Sequence, residues 1–174
     1  MMDDTPQLFL IDANSLITPH LSYYPFDFAG RFWTQLEHHI NVGSIIILDM
    51  AKNEVERGDD ELSEWMQRIN IGHLIDHREP EIIRKYAEVL EHVQQNPCYK
   101  PSALAEWSKA TVADPWLIAT GAVFGYTIIT FEAANPGLNP HYPSKEAKIP
   151  DVCSIFGVET KNLFYMIRQL GIII

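Results

Sequence analysis

Short continuous apolar runs alternate along the chain with longer stretches in which apolar residues recur every three or four positions. Residues 7–12 (QLFLID) form one such run and end it in a carboxylate, which predicts a buried strand. In 25–42, Phe28, Phe32, Leu36 and Ile40 are spaced by four, so a helix is expected with these four on its core face and Gly43 at its end. The β-branched run 44–48 (SIIIL) predicts a strand covered on both faces. Asp49 is placed to cap a helix over 50–57 that Gly58 stops. A helix over 61–69 aligns Leu62, Trp65, Met66 and Ile69, and 74–76 reads as a short strand. Pro80 suits the first turn of a helix over 80–95 whose stripe is Ile83, Ala87, Leu90 and Val93. Ser102 is expected to cap a helix through 109, and Asp114 one over 114–125, with Pro115 at its first position. Residues 126–131 (YTIITF) read as a strand and 133–143 as a Pro/Asn-rich loop. Helices near 150–156 and 161–170 follow, with a brief strand at 158–159 between them. Strands alternating with helices predict a three-layer α/β/α fold around a central parallel sheet. No repeat or linker interrupts 1–174, so one domain is expected.

Composition adds two constraints. At 174 residues, 47% hydrophobic and 21% charged, the chain can bury a real core without staples. No stretch is long and apolar enough to span a bilayer. The opening MMDDTPQ is acidic and lacks the basic region and apolar core of a signal peptide, so a cytoplasmic location without membrane attachment is expected. Cys98 and Cys153 read as reduced, partly buried thiols. The second constraint is the net charge of −10, with no Lys/Arg-rich block. Either the protein never meets a polyanion, or its excess carboxylates gather where divalent ions neutralise them.

The placement of the carboxylates separates these readings. In open parallel sheets, ligands bind beyond the carboxyl ends of the strands. Asp12 ends the first strand, Glu54 lies in the helix after the second, and Glu132 follows the YTIITF strand. Asp114 starts the helix that feeds that strand, and a right-handed crossover brings it to the same edge. Such a group would repel itself strongly unless a hard cation such as Mg²⁺ or Mn²⁺ compensates it. Each acid also has an ordinary reading. Asp114 before Pro115 is a good cap, Glu54 a solvated helix residue, Glu132 a loop residue, and Asp12 an Asx-turn. The seven histidines show no H-E-x-x-H motif, so zinc is not expected.

Four segments resemble the PIN-domain nucleases: FLIDANSLI (9–17), NEVERG (53–58), ADPWLIATG (113–121) and IITFE (128–132). They match that family's first strand, second-acid helix, third-acid helix and Thr-x-Asp strand in order. The departure is Glu132, where the family pattern has Asp. The tail AKIPDVCSIFGV (147–158) resembles a poorly characterised bacterial and archaeal PIN-like branch akin to VapC-type toxins. The resemblance implies a sheet of order 3-2-1-4-5 and a Mg²⁺/Mn²⁺-dependent ribonuclease. It further implies the toxin of a toxin–antitoxin pair, with an antitoxin partner and a homodimer. On this reading Asp12, Asp114 and Glu132 bind metal, and Glu54 is a ligand or orients the attacking water. Thr130 and Asn14 support the acids by hydrogen bonds. Lys145 and Lys148 contact phosphate, whereas Lys52 is solvated and Asp151 caps a helix. Two rivals remain. One is a phosphatase or phosphotransferase using Asp12 as nucleophile, although Asn14 stands where a second Asp is wanted. The other is a catalytically degenerate module that binds a partner protein or RNA. Tyr23 and Tyr24 are placed to contact such a partner.

Overall fold

The computed structural model describes residues 6–174; the acidic opening, 1–5, lies outside the described residues. Four apolar runs become the strands β1 (Phe9–Ile11), β2 (Ile45–Leu48), β3 (Leu74–Ile75) and β4 (Thr127–Ile129), and the polar pair Thr160–Lys161 forms β5. All pair in parallel in the order β3-β2-β1-β4-β5, the order implied by the resemblance. Phe9 lies opposite both Ile45 and Thr127, and Ile11 opposite Ile129. Every residue of β1, β2 and β4 is buried, as continuous apolar strands covered on both faces require. Helices around the sheet complete a three-layer α/β/α architecture.

Those helices are α1 (Asn14–Thr18), α2 (Gly30–Asn41), α3 (Asp49–Glu56), α4 (Glu61–Arg68), α5 (Pro80–Gln95), α6 (Pro101–Trp107), α7 (Asp114–Phe124), α8 (Ile149–Ile155) and α9 (Leu163–Gln169). Where they depart from expectation, local hydrogen bonding explains the shift. The Pro25 carbonyl accepts the N–H groups of Phe28 and Ala29, so a turn precedes α2 and Phe28 stands 79% exposed. Phe32, Leu36 and Ile40 keep that core face, and Trp33 is buried beside them. On α5 the buried residues are Ile82, Val89 and Val93, while Ile83 is exposed; the stripe is rotated by one position. Ser102 lies inside α6, after Pro101, and gives its hydroxyl to the Lys145 carbonyl instead of capping. Strand β5 forms two residues later than expected, where Thr160 meets Ile128. Residues 14–23 hold an unforeseen short helix running into a π-helical turn at Pro19–Tyr23. Gly125 ends α7 at φ 74, a left-handed conformation that costs a residue without a Cβ little. No helix among the described residues is long and apolar enough to cross a membrane.

Candidate metal centre

Because the strands are parallel, whatever follows their last residues collects on one edge. Asp12 leaves β1 there. Its N–H donates to the Ile129 carbonyl at 2.9 Å. Ser15 returns its N–H to the Asp12 carbonyl (2.9 Å) and its hydroxyl to Ile129 (3.1 Å), tying the exit of β1 to that of β4. The Asp12 side chain, 2% exposed, accepts the Thr130 hydroxyl at 2.9 Å. Thr130 Oγ1 in turn accepts the Glu132 N–H at 3.1 Å, so one hydroxyl links the first and last acids. Asn14 supports Asp12 through its backbone N–H, while its side chain is exposed. Burial pushes the Asp12 carboxyl up to about 7, the charges of Glu54 and Glu132 push the same way, and the Thr130 and Asn14 bonds oppose them.

Asp114 is already the first helical residue of α7, and no side chain caps this helix start. Its carboxyl is likewise pushed up to about 7, first by burial and then by Asp12, Glu132 and Glu54, with Lys148 opposing. Glu54, half-buried on α3, is raised by burial and eased by Arg57. Glu132 gives one oxygen, Oε2, to the Ile149 N–H at 2.7 Å, at the start of α8. The structure therefore brings Asp12, Glu54, Asp114 and Glu132 into mutual electrostatic contact, although they come from four separated stretches of chain.

This donor set is all carboxylate oxygen, and its two most buried members ionise only against burial and mutual repulsion. Both facts suit a hard divalent cation, which takes oxygen ligands and supplies the missing positive charge. Lys148 is the cation that eases Asp114. Beside it a cavity of about 330 Å³ opens, lined by Asp114, Glu132, Lys148, Trp107, Val112 and Ala147 among others. Lys145 is exposed and is not part of that lining. Lys52 pairs with Glu56 on its own helix. Asp151, expected as a cap, instead accepts the Asn135 N–H through both oxygens (3.2 and 3.0 Å) and anchors the 133–148 loop.

The four acids are an open arrangement. Among the described residues, the group whose ligand atoms all lie within 4.8 Å is Asp49, Asp76 and His77, which sequence reasoning missed. Asp49 reads as a helix cap, and His73 and His77, four apart, flank β3 instead of sharing a helix face. These carboxylates are already engaged. Asp49 accepts the N–H groups of Met50 (2.8 Å) and His77 (3.1 Å) and faces His77 Nδ1 at 2.7 Å. Asp76 is gripped by Arg78 through its backbone N–H, Nε and Nη2. The trio thus anchors β3 to α3, and His77 rests edge-on against Trp116, with ring centroids 4.8 Å apart.

Comparison with known proteins places this geometry. No curated protein matches the chain. A family model described as "Domain of unknown function (DUF4411)" matches residues 9–174. Among solved structures, VapBC2 from Rickettsia felis, bound to a DNA fragment from its promoter, is similar with a TM-score of 0.51 at 12% identity. The match covers 90% of this chain and 98% of that one. At such identity the likeness concerns the fold alone, and the fold is PIN-like.

Proposed function

The chain belongs to the DUF4411 family, and we propose that it is a Mg²⁺- or Mn²⁺-dependent endoribonuclease hydrolysing phosphodiester bonds. One observation carries the reading: four acids from distant segments meet at one sheet edge, two of them driven to about 7 by burial and by neighbouring carboxylates of the group. Asp12, Asp114 and Glu132 would hold the ion, and Glu54 would orient the attacking water. When bound, a hard divalent ion supplies positive charge against the phosphodiester and a lowered pKa for that water. The chain's own residues do the positioning. Thr130 and the Asn14 amide fix Asp12, the Ile149 amide fixes Glu132, and Lys148, close enough to ease Asp114, would contact the phosphate.

We further place residues 1–174 as one PIN-like domain acting in the cytoplasm as the toxin of a toxin–antitoxin pair, with homodimers as its assembly. The VapC-type resemblance of 147–158 and the likeness to VapBC2 support this. The test is cleavage of a generic RNA with Mg²⁺ or Mn²⁺ and its loss with a chelator. Asp12→Asn and Asp114→Asn are expected to lower the rate by roughly a hundredfold or more, and unchanged cleavage in both sinks the mechanism. One observation favours a degenerate binding module instead, because Glu132 spends an oxygen on Ile149. Calorimetry showing no Mn²⁺ uptake would select that alternative. Asn14, standing where that chemistry wants a second Asp, speaks against Asp12 as a phosphatase nucleophile.

A further inference from the structure

The cavity beside Asp114 and Glu132 extends away from Asp12 and Glu54, which are not among its lining residues. Ala103, Trp107, Val112 and Ala147 give it apolar wall, Asp114 and Glu132 an acidic end with Lys148 beside them, and the largely exposed Glu106 and Glu146 complete its lining. At about 330 Å³ it falls at the small end of ligand pockets, which run from about 300 to 1,000 Å³. One nucleoside fits such a space, and a base-paired helix does not.

The cavity is built from segments pinned to one another. Lys100 donates its N–H to the Ser144 carbonyl (2.8 Å), Ser144 donates to Cys98 (2.8 Å), and the Ser102 hydroxyl holds the Lys145 carbonyl (3.1 Å). These bonds fix 144–148 against the start of α6. Ala147 and Ile149 are buried on either side of Lys148, and the Ile149 amide is held by Glu132. Lys148 Nζ is steadied by Glu146 at 3.0 Å. Lys148, paired with the exposed Glu146, is thus held on rigid backbone between the buried acids and the apolar wall of Trp107, Val112 and Ala147. That pairing of charge and apolar wall matches a nucleotide, whose phosphate is anionic and whose base has an apolar face.

Resting on the metal-nuclease reading, we propose that this cavity is the subsite for one unpaired nucleotide flanking the cleaved phosphodiester. Lys148 contacts its phosphate, and the Trp107–Val112 walls receive the nucleoside. Adenosine and uridine 5′-monophosphates, which contain no diester to cut, are the probes, titrated in Mg²⁺ while the Trp107 indole N–H resonance is followed by NMR. Saturable movement of that resonance is expected. Val112→Phe, which fills the slot, and Lys148→Gln, which leaves the half-exposed backbone position intact, should each weaken binding about tenfold. The Lys148 variant keeps the test valid if the Phe variant misfolds. A still Trp107 in a protein that cleaves RNA overturns the subsite alone, as does wild-type affinity in both variants. Absence of both metal uptake and RNA cleavage in the wild type overturns the nuclease reading and this one with it.

Discussion

Asp12 and Asp114 carry an electrostatic load whose sign can be measured. Each carboxyl is raised from an ordinary value of 3.8 to about 7. Between these values the folded chain holds protons that the unfolded chain has released, so folding is favoured by acid. That contribution is fully present below about 4 and is lost as pH rises through about 7. With a chelator present, the melting temperature should therefore fall as pH rises from 5 to 8. Asp12→Asn should flatten this dependence and stabilise the chelated protein at pH 8 by roughly 1–3 kcal/mol. Destabilisation at pH 8 would show that Asp12 is an ordinary bonded carboxylate. The convergence of the four acids was legible because strand ends in a parallel sheet share an edge. The partners of those acids were not legible. Ile149 lies 17 residues from Glu132 and Thr130 lies 118 from Asp12, so only the fold brings them together. Lys145 and Lys148 looked alike in sequence, and the pinning of the loop against α6 separated them.

At the scale of elements, periodicity identified the helices and left their rotation open. On α5, Ile82 and Ile83 are neighbours that both suit an apolar stripe, and packing against α7 chose Ile82. Ile82→Ala should cost about 2–5 kcal/mol in urea denaturation and Ile83→Ala no more than about 0.5. Equal losses at both positions would contradict this orientation of α5. Phe28 was misplaced for a related reason. Its spacing from Phe32 fits a helix, yet the Pro25 carbonyl draws the chain into a turn before α2 begins. Four of the five strands were legible as apolar runs, and β5 formed two residues past its expected place. Its two residues, Thr160 and Lys161, carry no apolar signal and are strand only by bonding to β4. The π-helical turn at Pro19–Tyr23 has no periodic signature at all.

For the molecule as a whole, the net charge of −10 goes with cations of which nearly half are paired with a neighbouring acid. Among the described residues, Lys52, Arg78, Lys85, Lys109, Lys148 and Lys161 each pair with an acid two to four positions away. Six of the 13 Lys and Arg residues thus sit against an acid, Lys148 among them at the cleft itself, and the sequence has no Lys/Arg-rich block from which a broad phosphate-binding face could be built. A narrow cleft neutralised by a divalent ion fits that distribution better than an extended basic surface. The candidate cleft and the Asp49–Asp76–His77 group lie at the same sheet edge, so they are the two places an ion would choose between. Anomalous diffraction from crystals soaked in Mn²⁺ decides this directly. A manganese peak is expected in contact with the carboxylates of Asp12 and Asp114, and its loss is expected in Asp12→Asn. A peak at Asp49, Asp76 and His77 instead, or none at any manganese concentration, would contradict this assignment.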